Sequence, residues 1–206
     1  LPKTGFILDE LDRAFTSLLQ SSRKFSAFNQ KTRVELTKTS ALFARLGVDT
    51  KTFAENLDRL AFGFNLNEAQ VRKLTGELIG FNRALGIGAN EGLSEFNRQI
   101  DLIATHGLRK GTHIFKELMI NVKATGVAMN DLISIGKKFD TFDGAMEAAG
   151  KLNLILQGPY LNSMQMLNAT EEERIEHLRD ALKNSGMAFE DLSRRQKEAF
   201  AGTLGV

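Results

Sequence analysis

Apolar residues along most of the chain recur with the three- and four-residue steps of amphipathic helices, and strand-like alternation is missing. Two of these stripes are Val71, Leu74, Leu78, Phe81 and Leu85, and Phe142, Ala145, Ala149, Leu152 and Leu156. Each stripe places apolar side chains on one face of a helix, so each helix needs a partner to pack against. The pattern predicts an all-α protein in which these stripes form an ordinary packed core.

Four glycines mark predicted helix ends. Each follows a basic or polar last turn and precedes an apolar residue, which is typical of a Schellman-type stop with glycine in the left-handed conformation. They are Gly47, Gly86, Gly126 and Gly186, at intervals of 39, 40 and 60 residues. This spacing predicts a loose helical repeat of Gly-punctuated hairpins over residues 47–206, with an extra element in the longest interval.

That interval contains a Gly-Pro-Tyr turn at residues 158–160. Pro159 has no backbone N–H and disfavours helix at Gly158, so the preceding helix is expected to end near Gln157. The chain is expected to turn there and to continue at Tyr160 as a short apolar segment.

An acidic run follows this segment. Thr170 with Glu173 matches a capping box, and Glu171 and Glu172 fall in the first turn, where the helix dipole favours negative charge. We interpret the run as a helix start. A metal-binding or catalytic carboxylate cluster is the alternative, and the lack of nearby histidines disfavours it.

Residues 6–46 differ from the rest because their heptad seam carries polar residues at its centre, among them Ser22 and Asn29. The pattern predicts one long helix with coiled-coil character, forming a separate region over residues 1–46 and oligomerising through a seam whose polar residues fix register. Residues 21–45 hold six basic residues against one acid, Glu35. This local charge of +5 indicates either a solvated face or a surface for an acidic partner.

Composition narrows the remaining possibilities. A chain of 206 residues can form one domain or two small ones, and its net charge of +2 argues neither for nor against nucleic acid. We expect no specific nucleic-acid recognition. The lack of cysteine excludes disulfides and thiolate metal sites and fits a reducing compartment. No apolar run reaches the ~18 residues of a membrane span, so a soluble chain is expected.

No arrangement of residues indicates catalysis. The three histidines, His106, His113 and His177, lack the spacing of a zinc site, and "GLRKGTH" at 107–113 fails the P-loop pattern. We therefore expect a non-enzyme with no catalytic residue, metal or cofactor. "LPKTG" at 1–5 matches a surface-sorting signal, but it leads a predicted helix starting near Phe6, so we interpret it as a chance match or a cloning scar. The first residue, leucine, suggests an excerpt of a longer protein.

The last third of the chain resembles a family. The pieces that carry the likeness are "GKLN" at 150–153, "GPYLNS" at 158–163, "NATEEER" at 168–174 and "FEDLSRRQKEAFA" at 189–201. With the residues around them they resemble tail tape measure proteins of long-tailed bacteriophages, notably marine contractile-tailed ones.

The resemblance implies a structural virion protein that lies in the lumen of the tail tube near the tail tip and is in the host cytoplasm during assembly. Such a protein sets tail length, since a helix rises 1.5 Å per residue, and it docks at the baseplate hub. Its implied partners are copies of itself, with a trimer favoured, the tail tube protein, hub proteins and, transiently, the host envelope. The turn at Gly158, Pro159 and Tyr160 then becomes a candidate contact.

Two other functions stay open. One is a cytoplasmic helical coiled-coil adaptor or scaffold module. The other is a membrane-active helix bundle, which the basic segment at 21–45 would suit.

Overall fold

The computed structural model describes residues 8–187 and 191–205, and throughout these ranges every regular element is helical. The prediction of an all-α protein is confirmed. The chain forms two compact units that divide between Phe115 and Lys116. The boundary predicted after residue 46 falls inside the first of these units.

The first unit contains six helices and the start of a seventh. They are α1 (Leu8–Ser21), α2 (Gln30–Arg45), α3 (Thr50–Asp58), α4 (Glu68–Ala84), α5 (Ala89–Arg98), α6 (Ile100–His106) and α7 (Leu108–Thr125), which continues into the second unit. A short 3₁₀ turn at Phe25–Ala27 precedes α2, and a π-helical turn at Arg59–Gly63 continues directly from α3.

The single long helix predicted over residues 6–46 is wrong, because the chain breaks between α1 and α2. The hydroxyl of buried Ser22 donates to Asp58 Oδ1 at 2.5 Å and accepts from the N–H of Phe25 at 3.0 Å. Asn29 Oδ1 then accepts from the N–H of Thr32 and caps α2. Both seam residues therefore serve helix ends, whose backbone groups need such partners. "LPKTG" and the predicted start near Phe6 lie outside the described residues.

Four apolar seam positions of this region are buried within the first unit, whereas Leu8 (83%) and Leu46 (38%) are exposed. Leu18, Phe25 and Leu36 are fully inaccessible, and Phe43 packs edge-on against Phe53 with ring centroids 5.4 Å apart. Helices α1, α2 and α3 pack against one another in this unit. Assembly of this region into an intermolecular coiled coil stays a prediction.

A buried polar network joins three segments of the first unit. Asn56 Nδ2 donates to Asn97 Oδ1 at 2.9 Å, and Asn97 Nδ2 donates to the carbonyl of Thr52 at 3.1 Å. The hydroxyl of Thr75 donates to Asn56 Oδ1 at 2.7 Å. Because all of these groups are satisfied, the network fixes α3, α4 and α5 in register without the cost of unpaired polar atoms.

The described residues of the second unit form the end of α7 and five further α-helices. They are α8 (Met129–Lys137), α9 (Phe142–Ile155), α10 (Ser163–Asn168), α11 (Glu171–Asn184) and α12 (Arg194–Leu204). Helices α10 and α12 pack on α9, and α11 packs on α8. The extra element predicted in the longest glycine interval corresponds to α9 and α10.

All four predicted stop glycines adopt the left-handed conformation, with φ of 87° at Gly47, 68° at Gly86, 73° at Gly126 and 70° at Gly186. At the first of them the N–H of Val48 donates to the carbonyl of Phe43 at 3.0 Å, which completes the Schellman pattern. The helices α2, α4 and α7 each end at such a glycine and are each followed by a shorter helix. The structure thus shows three long helices that end at a left-handed glycine, and a repeat of hairpins over residues 47–206 stays a prediction.

Candidate interaction surface on the second unit

The Gly-Pro-Tyr turn follows α9 directly. The helix ends at Ile155, and Gln157 takes a left-handed conformation with φ of 60°. The N–H of Gly158 then donates to the carbonyl of Asn153 at 3.0 Å. The expected end near Gln157 is confirmed, and Pro159 follows the stop, where a missing N–H costs nothing.

Asn153 holds the chain beyond the turn. Its Oδ1 accepts from the N–H of Leu161 at 2.8 Å, and its Nδ2 donates to the carbonyl of Leu161 at 2.8 Å. The Tyr160 ring lies over Gly158 so closely that a Cβ at that position would be 2.5 Å from Tyr160 Cε2. A side chain at position 158 would therefore displace the Tyr160 ring from its present position.

The start of α11 follows the sequence prediction. Glu173 Oε2 accepts from the N–H of Thr170 at 2.7 Å and from its hydroxyl at 2.9 Å. The acidic residues fill the first turn of α11 as expected. The capping box predicted from Thr170 and Glu173 is confirmed as a structural feature.

Arg174 occupies the centre of the second unit with a side chain only 6% exposed. Its Nη1 donates to the carbonyl of Gly136 at 2.7 Å and to Asp140 Oδ1 at 2.5 Å. Its Nε donates to the carbonyl of Met166 at 2.8 Å. The guanidinium therefore lies at the C-terminal ends of α8 and α10, where two helix dipoles favour a positive charge.

The exposed large apolar side chains of the second unit concentrate on α9, the turn and α10. Those on these three segments are Phe142 (55% exposed), Met146 (52%), Leu154 (81%), Tyr160 (38%) and Met164 (51%), and we call them the apolar face. One further exposed apolar residue of this unit, Ile120 (39%), lies on α7. Large exposed apolar side chains that gather on neighbouring elements indicate an interaction site more strongly than single scattered ones do.

The apolar face corrects one detail of the predicted core. Ala145, Ala149, Leu152 and Leu156 are buried as the stripe predicts, but Phe142 is not. Phe142 and Met146 instead begin a second row of residues, spaced by four, that faces away from the core.

A row of charged residues runs along α9 beside the apolar face. It consists of Asp143, Glu147 and Lys151, all exposed, so the negative charges come first along the helix. Lys151 Nζ lies 2.5 Å from Glu147 Oε1. The hydrogen bond from Lys151 lowers the pKa of the Glu147 carboxyl, and the charge of Lys151 lowers it further.

The basic segment at 21–45 is partly neutralised within the first unit. Lys38 pairs with Glu35 at 3.0 Å and Arg45 pairs with Glu10 at 2.6 Å. Lys24 Nζ lies 4.7 Å from the centroid of the Phe62 ring. The contacts of half of the basic residues are therefore intramolecular, and an acidic partner stays a prediction.

The predicted site residues do not form one cluster. Gly158, Pro159 and Tyr160 lie in the turn beside the apolar face, whereas Thr170 and Glu173 cap α11. The four stop glycines lie at four different helix ends. Across residues 8–187 and 191–205, no group of three or more His, Asp or Glu side chains could hold a metal ion. In the same ranges no helix is long and apolar enough to cross a membrane.

The sequence reasoning missed Arg174, Asn153 and the apolar face. For Arg174 a signal exists, since it precedes Leu178 by four residues and so occupies a core position of α11. Asn153 gives no such signal, because its partner Leu161 comes close only through the conformation of the turn.

No known protein-family model matches the chain, and no curated protein or solved structure is significantly similar to it.

Proposed function

We propose that the chain is a structural segment of the tail tape measure protein of a long-tailed bacteriophage, folded near the end of the ruler that docks at the tail tip. The observation that carries the proposal is the place of the apolar face. It lies on α9, the turn and α10, within the same stretch of sequence that resembles this family.

A docking segment needs an apolar surface on a rigid support. Asn153 ties the chain after the turn to α9, and Arg174 ties α11 to the ends of α8 and α10. These contacts fix the backbone under the apolar face, so binding would cost little conformational entropy. Tyr160 combines a large apolar ring with a polar hydroxyl, a combination enriched at protein interfaces.

In this proposal the helices hold the ruler at the baseplate hub while the tail tube polymerises around the extended part of the parent chain. The proposed partners are copies of the same chain, the hub and the tube protein. The proposed location is the lumen of the tail tube, and the role involves no catalysis.

The experiment uses phage particles that encode the paired substitution Pro159→Ala and Tyr160→Ala. We expect fewer complete tails by electron microscopy, because the turn loses its fixed backbone and its exposed ring. Gly202→Ala, an exposed helical change on α12 with open space around the new methyl group, is the matched control and should leave tail number unchanged.

Normal tail number in the paired variant would contradict the docking role of the turn. Leakage of anionic liposomes on addition of the purified chain would instead favour the membrane-active function. A stable oligomer of a parent chain of ordinary length, absent from particles, would favour the cytoplasmic adaptor.

A further inference from the structure

We infer that the apolar face binds a second copy of this chain, with α9 packed antiparallel against α9 of the other copy about a twofold axis. This inference does not rest on the tape-measure proposal, and it gives the apolar face a different occupant, because a face covered by a second copy is not open to the hub. It also differs from the threefold assembly that the resemblance implies, so the mass of the particle in solution separates the two.

The exposed residues of α9 have the spacing of a helix-packing ridge. Phe142, Met146, Gly150 and Leu154 follow one another at intervals of four and are all exposed. Residues spaced by four form the ridge that packs into the groove of a neighbouring helix in the commonest class of helix packing. The row therefore has the form of a helix-packing ridge, and no residue in the described part of the chain covers it.

The exposed area of the apolar face is of the size that a dimer interface requires. With side chains of this size offering 150–250 Å² each, the exposed fractions of the apolar face amount to roughly 500 Å². A standard interface takes about 800 Å² from each partner, a little more than half of it apolar. The apolar face therefore supplies about the apolar share that one side of a stable dimer needs.

The charges beside the ridge favour an antiparallel pair. The charged row beside the ridge runs from Asp143 and Glu147 to Lys151, so one end is negative and the other positive. An antiparallel copy centred near residue 149 brings Lys151 opposite Glu147 of the second copy, and the reverse pair forms by symmetry. A parallel copy would place like charges opposite each other, which is unfavourable. An isologous pair is also the commonest form of oligomer.

Gly150 lies within the exposed ridge, near the proposed centre of the helix pair. An exposed glycine inside a helix costs up to about 1 kcal/mol relative to alanine, and such a residue usually has a packing reason. Among the described residues a Cβ at Gly150 would meet nothing within 4 Å, as is also true of Gly76, Gly80 and Gly202, so its place in the ridge is what distinguishes Gly150. At the centre of the proposed helix pair, however, the missing side chain lets the two backbones approach closely.

The test measures the mass of the whole chain by sedimentation equilibrium over a concentration series. The proposal predicts a reversible equilibrium between the 22.8 kDa chain and a particle of twice that mass. Leu154→Lys should raise the dissociation constant at least tenfold, because it places a charge in the apolar contact. Since Leu154 is 81% exposed, the variant should keep the wild-type helix content and melting temperature.

Two matched comparisons make the test specific. Gly150→Ala should raise both the melting temperature and the dissociation constant, whereas Gly80→Ala, at an exposed glycine of α4 with equal space around it, should raise only the melting temperature. Lys151→Glu should weaken the dimer, and adding Glu147→Lys should restore it, because the exchanged charges again face each other.

A chain that stays monomeric at the highest concentration would overturn the proposal, as would a trimer. A dimer that Leu154→Lys and Gly150→Ala leave unchanged would overturn it as well, because the contact would then lie elsewhere.

Discussion

Replacing Arg174 by methionine should destabilise the second unit more than any other single change on its surface or in its polar interior. The side chain donates to four backbone carbonyls and to one carboxylate. Methionine keeps much of the volume and removes every one of these hydrogen bonds. The carbonyls of Met166 and Leu167 at the end of α10 then lose this partner in a place where water has little access.

The magnitude follows from the burial of the two partners. Asp140 is 52% exposed and regains water, so the ion pair itself contributes little. The main loss comes from the buried carbonyls and from the positive charge at two helix ends. A buried acceptor left without its donor costs about 1 to 3 kcal/mol, and since several carbonyls lose their donor we expect the free energy of unfolding to fall by at least about 2 kcal/mol.

The assay is urea unfolding followed by far-UV circular dichroism, combined with hydrogen exchange of the amides of α8, α10 and α11. Exchange reports each helix separately, which matters because the chain has two compact units and a single transition is not guaranteed. Arg174→Lys keeps the charge but not the planar fork, so it should lose about half as much. Arg195→Met, an exposed change on α12, should stay within about 0.5 kcal/mol of wild type.

An Arg174→Met variant within about 1 kcal/mol of wild type, with unchanged exchange in α10, would refute this reasoning. It would mean that the carbonyls find water or other donors and that the guanidinium does not hold the helix ends together.

Three further predictions concern stability, each measured by the same urea unfolding. Asn97→Ala should lower the free energy of unfolding by about 2 to 3 kcal/mol, because it leaves buried partners unpaired. Asn82→Ala should lower it by less than about 1 kcal/mol, since the buried Asn82 amide makes no hydrogen bond. Equal losses in the two variants would contradict this. Gly92→Ala should be severely destabilising, because its Cβ would lie 2.1 Å from Asn82 Cγ. Adding Asn82→Ala in the same chain should recover most of the lost stability. If the effects of the two substitutions simply add, the clash is not the cause. Gly47→Ala should cost about 1 to 2 kcal/mol, because φ is 87° there, although the new methyl group meets no atom; no change in stability would show that the backbone can relax.

The sequence predicts the parts of this fold that depend on local chemistry. The left-handed glycines, the stop before Pro159 and the cap formed by Thr170 and Glu173 each involve residues within a few positions of one another. Their physical causes, positive φ, a missing N–H and free backbone groups at a helix start, are visible in the residue types alone.

The long-range contacts are less visible in the sequence. Ser22 looks like a polar position of a heptad, yet its hydroxyl binds Asp58, 36 residues further along the chain. Phe142 fits the spacing of the buried stripe of α9, but its side chain is exposed. It lies in line with Met146, one turn further along the exposed face of the helix. For Ser22 a distant hydrogen-bond partner determines its role, and for Phe142 a second row of apolar residues on the same helix does. The local sequence pattern shows neither.

The most direct test of the proposed function is peptide mass spectrometry on purified, nuclease-treated particles and isolated tails of the phage that is proposed to encode this chain. The account predicts peptides from residues 139–200 at a few copies per tail, counted against the major tube protein, and a parent chain far longer than 206 residues. Particles without these peptides, while the protein is present in the infected cell, would contradict it.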